Sequence, residues 1–193
     1  LLHIAEIAKT MKASSIKFNF INTMERARQM EQKQELLDVS GVLEMNRYLT
    51  SEYSARLDIP VFTNLPPAFK AIRNFSKGGR CGILHVAGLL NDGGVSFCGI
   101  GFSKKTLVAG NIRHTPLEKL WKEASLFSDL RESVPVKMEG ICGQCMLKSF
   151  CLGQCRADAF YKQGSLRAPF EFCQKAREES LFPEKWIIKS LIE

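Results

Sequence analysis

All seven cysteines of this 193-residue chain lie between residues 81 and 173, and their spacing constrains the fold more than any other feature. The order is Cys81-x11-Gly93-x4-Cys98, then Cys142-x2-Cys145-x5-Cys151-x3-Cys155, then Cys173. Two thiols separated by two residues can reach one metal centre from a tight turn. Iron–sulfur clusters take thiolates from such a run together with a distant cysteine. Soft thiolate donors suit iron–sulfur clusters, zinc or Cu(I). A disulfide scaffold is excluded on two counts: the cysteines are too sparse, and an odd number would leave one thiol over. An isolated cysteine is ordinarily a small buried hydrophobe, but seven in one spaced series ask for a shared purpose.

The chain ahead of the cysteines reads as α/β. Leu1, Ile4, Ala5, Ala8 and Met11 fall on one helical face. Ile16, Phe18 and Phe20 alternate with Lys17 and Asn19 as a strand. Leu36, Val39 and Leu43 mark a second helix reaching Leu57, Ile59-Pro60-Val61-Phe62 reads as a strand, and Ala68 to Phe75 as a short helix. This helix–strand–helix–strand order predicts a parallel sheet. A complete barrel needs roughly 250 residues, so residues 1–69 are expected to be the last strands of a barrel that begins upstream. Leu1 to Met11, with His3, Glu6 and Lys9, is amphipathic rather than a signal peptide. No apolar run is long enough for a membrane span, and a cytoplasmic location is expected.

From Cys81 the texture changes. A β-hairpin turned by Asn91-Asp92-Gly93-Gly94 is expected. A helix follows, with Thr115 as N-cap, Pro116 first and Glu118 closing a capping box. Pro183 to Glu193, with Trp186, Ile187, Ile188 and Leu191, reads as a packing helix. The formal net charge of +7 is spread over scattered residues such as Lys104, Lys105, Lys119 and Lys122, which is a solvated surface. Without interleaved basic and aromatic residues, nucleic acid is not an expected partner.

The cysteine series resembles the SPASM domain of radical S-adenosylmethionine (SAM) enzymes. The flanks agree: Gly110-Asn111-Ile112 with Leu117-Glu118-Lys119-Leu120-Trp121, then Gly153-Gln154-Cys155-Arg156-Ala157, and Pro169 ahead of Cys173. The resemblance covers residues 77–176. It implies an α/β fragment, the last strands and helices of a partial radical SAM barrel (1–69), and a linker helix or loop (70–80). A small α+β iron–sulfur SPASM domain (81–176) and a C-terminal helix (177–193) would follow. It further implies two auxiliary 4Fe–4S clusters, cluster I on Cys81, Cys98 and Cys155 and cluster II on Cys142, Cys145, Cys151 and Cys173.

Two departures from the family pattern matter. Fully ligated members carry another cysteine just before the position of Cys81, and Phe75 to Arg80 offers none. One iron of cluster I is thus left without a cysteine. His85 is a candidate for it, although a histidine in such a loop is more commonly a surface residue. The CxxxCxxC motif that binds the SAM-cleaving cluster is also missing. SAM and a third 4Fe–4S cluster therefore belong only to an upstream part, in which case Lys17, Asn19 and Asn22 are candidates to face the pocket, although such residues more commonly face solvent or satisfy polar groups of the barrel.

The implied function is that of a maturase modifying a peptide or protein, supplied by an electron donor such as a ferredoxin or flavodoxin. Its reaction begins with hydrogen abstraction by the 5′-deoxyadenosyl radical. The auxiliary clusters serve electron transfer or substrate positioning. Two readings compete. A zinc-binding structural module would use Cys142, Cys145, Cys151 and Cys173 but leave three cysteines unexplained. A stand-alone two-cluster electron-transfer protein would pack its ligands more tightly and give residues 1–69 no purpose.

Overall fold

The computed structural model describes residues 1–21, 24, 27–75, 81–99 and 105–188; of Leu2 only the backbone is described. Asn22, Lys104, Leu191 and the stretch 76–80 lie outside the described residues. The chain forms two compact units. One comprises Leu1–Gly79 and Lys175–Lys185, the other Arg80–Gln174 and Trp186–Glu193.

In the first unit, α1 (Leu2–Thr10) leads to β1 (Ile16–Phe18), α2 (Ala27–Gln32) and α3 (Val39–Tyr48). Asp38 caps α3, its carboxylate accepting the Gly41 N–H at 2.7 Å. The helix runs on through a π-helical turn, Leu49–Tyr53, into α4 (Ser54–Leu57), and stops at left-handed Asp58. Then β2 (Val61–Thr63) pairs with β1 in parallel, Ile16 opposite Val61 and Phe18 opposite Thr63. Parallel neighbours need a long crossover, which the intervening helices supply. Ala5, Leu49, Tyr53, Leu57 and Val61 form the core, with Ile16, Phe18 and Phe20 packed on it.

The expected parallel sheet is therefore present, as two strands among the described residues. Asn64 lengthens the pairing. Its side-chain oxygen accepts the Phe20 N–H at 2.8 Å and its amide donates to the Phe20 carbonyl at 3.0 Å. Lys17 and Asn19 are exposed. The helix predicted from Ala68 to Phe75 is instead two 3-10 turns, Pro67–Phe69 and Ile72–Asn74. Extended backbone at Lys70 and Ala71 separates them, so no helical hydrogen-bond ladder can run through.

In the second unit, β3 (Gly88–Leu89), β4 (Gly94–Ser96) and β5 (Val108–Asn111) form an antiparallel sheet in that order. The hairpin turn is as predicted, and the Asp92 carboxylate accepts the Gly94 N–H at 2.8 Å. Ile83, Val95, Phe97 and Leu107 are completely buried. The helices are α5 (Leu117–Glu123), α6 (Ser125–Ser133), α7 (Gly140–Gln144), α8 (Lys148–Cys151), α9 (Arg156–Gln163) and α10 (Glu171–Glu178), the last crossing the boundary between the units in sequence.

Two details differ from expectation. Pro116, not Thr115, is the N-cap of α5, and Glu118 pairs with Lys122 at 2.7 Å, one turn on, instead of closing a capping box. The tail is not a helix over its described part. Glu184–Trp186 is a 3-10 turn, and Ile187 pairs antiparallel with Cys145. The N–H of Met146 donates to the Trp186 carbonyl and that of Ile188 to the Gln144 carbonyl, both at 2.8 Å. Backbone groups engaged in this pairing cannot serve a helix. Among the described residues no helix is long and apolar enough to cross a membrane.

Candidate metal centre

All seven cysteines are free thiols. Cys142 sits within α7 and Cys145 is its C-cap. Cys151 ends α8, Cys155 is the N-cap of α9, and Cys173 lies within α10. Cys81 and Cys98 flank the β3–β4 hairpin.

Electrostatic neighbourhood divides the thiols in two. Cys173 feels Cys142, Cys151 and Cys145; Cys151 feels Cys142 and Cys145; Cys145 feels Cys142. Separately, Cys155 feels Cys98 and Cys81, and Cys81 feels Cys98. Within each group the ionisation of one thiol opposes that of the next. Among the described residues no three His, Cys, Asp or Glu side chains close on a single ion-sized point, so the grouping is one of neighbourhood and not of finished coordination. His85 is exposed on a turn in which its N–H meets the Gly82 carbonyl at 2.7 Å, and it joins neither group.

Backbone N–H groups are aimed at five of the sulfurs. Phe170 donates to Cys142, Leu147 to Cys145 and Asp158 to Cys155, each at 3.4 Å. The Ile83 N–H also favours the Cys81 thiolate, and those of Gly153 and Gln154 the Cys151 thiolate, while the Gln154 N–H bonds to the Cys151 carbonyl at 3.2 Å. Leu152, Gly153 and Gln154 all carry positive φ, of 53°, 66° and 55°. Positive φ at these three positions turns the chain sharply between Cys151 and Cys155. Holding two non-glycine residues there costs roughly 1–2 kcal/mol each, and strain of this kind collects at functional sites.

These donors oppose a larger force. Burial is the first cause raising the pKa of Cys81, Cys142, Cys145, Cys151, Cys155 and Cys173, and Cys151 is pushed up to about 12. Neighbouring thiols add to it for Cys81, Cys145, Cys151, Cys155 and Cys173, and for Cys155 so does the Asp158 carboxylate. The Arg156 guanidinium works the other way on Cys81, Cys142 and Cys173. A folded pKa above the unfolded one makes a contribution to stability that is complete below the unfolded value. It is lost as pH rises through the folded value.

The metal-free protein is therefore expected to lose stability from about pH 9 toward pH 12, with Cys151 contributing up to about 4 kcal/mol. Urea unfolding of the parent and of Cys151→Ala across this range checks it. The variant should show the shallower slope, and equal slopes would contradict the assignment of the effect to Cys151.

The donor chemistry fits an iron–sulfur group: thiols in two sets, with amide N–H groups directed at the sulfurs. Loading such a group requires thiolates, so it must release the thiol protons. Pattern reading of the chain missed the N–H donors, Arg156 and the tail strand. Only Arg156 left a trace in sequence, a cation set between Cys155 and the small and apolar residues Ala157, Ala159 and Phe160.

Comparison with known proteins agrees with this chemistry. Residues 81–146 match the SPASM family, described as an iron–sulfur cluster-binding domain. The AdoMet-dependent heme synthase of Methanosarcina barkeri (strain Fusaro / DSM 804) is 34% identical over 88 residues, which cover 42% of this chain and 24% of that protein. The chain thus spans about a quarter of the length of the curated relative it matches. No solved structure matches significantly.

Proposed function

We propose that this chain, whose residues 81–146 are a SPASM iron–sulfur cluster-binding domain, is the auxiliary-cluster part of a radical SAM enzyme. The observation that carries the proposal is the division of the thiols into four and three. Cys142, Cys145, Cys151 and Cys173 would hold one 4Fe–4S cluster. Cys81, Cys98 and Cys155 would hold the other through three of its irons. Bound clusters would supply one-electron chemistry next to the substrate.

The protein's own part is to exclude water from the sulfurs, hold them with backbone N–H groups and set their electrostatics. Residues 1–69 would continue a partial barrel whose upstream strands carry the SAM-cleaving motif; the parallel β1–β2 pair supports this. A ferredoxin or flavodoxin would deliver electrons, in the cytoplasm.

The substrate we propose is a peptide or protein, as for many SPASM-bearing enzymes. A second reading, a tetrapyrrole, is favoured by the heme synthase relative. Quenching of tryptophan fluorescence by a porphyrin, with none by a panel of peptides, would decide for the second.

Anaerobic reconstitution with iron and sulfide tests the proposal. About eight irons per chain, as two 4Fe–4S clusters in the Mössbauer spectrum, are expected. One zinc per chain with no iron uptake would overturn it in favour of a structural zinc module.

A further inference from the structure

Arg156 is completely buried. Burying an arginine is costly unless its charge and its N–H groups are met. Its Nη1 donates to the Leu166 and Ala168 carbonyls at 3.1 and 2.7 Å, and its Nη2 donates to the Gly153 carbonyl. These bonds hold the guanidinium as a rigid fork. They also tie the segment between Cys151 and Cys155 to the loop that ends at Phe170, whose N–H meets the Cys142 sulfur. One donor is left over: Nε–H has no hydrogen-bond partner. No carboxylate is paired with the charge among the ion pairs of the described residues. The fork spans from the Gly153 carbonyl, between Cys151 and Cys155, to the Ala168 carbonyl, two residues before the Phe170 N–H that meets Cys142. Cys142 acts on it most strongly, then Cys151, Cys155 and Cys81, so members of both thiol groups are its neighbours. The site is tightly fitted, because a Cβ on Gly153 would overlap both the guanidinium and the Met138 side chain.

We infer that Arg156 is a positive charge shared by both thiol groups, a positioning residue that raises the reduction potentials of both clusters and keeps Nε–H for a sulfur atom. The inference rests on the two-cluster reading above. Reduction adds one electron to an already anionic cluster–thiolate assembly. A fixed cation in a dry site stabilises the reduced form more than the oxidised one. Both potentials are therefore higher than they would be without it.

The experiment is a dithionite titration of fully reconstituted protein, followed by EPR, on the parent, Arg156→Gln and Arg156→Lys. In Arg156→Gln both midpoint potentials should move to more negative values. Arg156→Lys, which keeps the charge and loses the fork, should bring them back toward the parent. Unchanged potentials in a fully loaded Arg156→Gln would overturn the inference, since a merely structural arginine would leave them alone. If Arg156→Gln holds no iron, parent protein labelled with 15N-arginine decides. Pulsed EPR of the reduced state should show 15N coupled to a cluster spin, and its absence would overturn the inference. A parent that takes up no iron would instead sink the cluster reading itself, and iron analysis separates the two failures.

Discussion

Cys173→Ala is expected to halve the bound iron, from about eight atoms per chain to about four, and to cost the loaded protein several kcal/mol. Cys173 is buried in α10, and Cys142, Cys151 and Cys145 all oppose its ionisation. A buried cysteine also packs as a small hydrophobe, and that share is lost in any substitution. It amounts to roughly 1 kcal/mol for one buried group of this size. The two contributions separate by state. Metal-free parent and variant should differ by about that packing amount, whereas the loaded pair should differ by several-fold more, because a metal site's binding energy is folding energy. Iron analysis and urea unfolding in both states measure this. Unchanged iron content would remove Cys173 from the ligand set.

Gly143→Ala is expected to destabilise the metal-free domain by about 3 kcal/mol, the upper range for forcing atoms into a filled site, and to lower iron uptake by the group of Cys142. Gly143 stands between Cys142 and Cys145, and a Cβ there would overlap the Met138 carbonyl. The obstacle is backbone, so no rotamer change relieves it. The neighbourhood is also tied down, since the Gly143 N–H donates to the Glu139 carbonyl at 3.1 Å and the Gly143 carbonyl accepts from Lys148 Nζ at 2.9 Å. In an open helix the same change would stabilise by about 1 kcal/mol, so even the sign is informative. A variant as stable as the parent in urea would show that α7 can shift away from Met138 at little cost.

Local signals in the sequence were read well where the governing interactions are local. The hairpin at Asn91–Gly94 and the alternation around Ile16 to Phe18 depend on neighbouring residues, and both are present in the fold. The cysteine spacing was likewise legible, since a short-spaced run can bring thiols together whatever surrounds it. Strand β5 was not. Its Gly110 and Asn111 are poor strand formers, and it pairs because β4 lies beside it. The amide donors to sulfur were invisible for a different reason. They come from Phe170, 28 positions from Cys142, and from Gly153, which lies in a turn whose Leu152 and Gln154 have positive φ although their side chains do not ask for that conformation. Arg156 could be noticed as a cation beside a cysteine, but not as a buried one held by three carbonyls.

The pairing of Ile187 with Cys145 bears on the order in which the molecule can be finished. A ribosome has Cys142 and Cys145 in hand some forty residues before it makes Trp186, Ile187 and Ile188. Until those residues emerge, the carbonyl of Gln144 and the N–H of Met146 have no such strand to meet. A nascent chain therefore holds the C-terminal end of α7 without this pairing. It is completed only by the last part of the polypeptide described here.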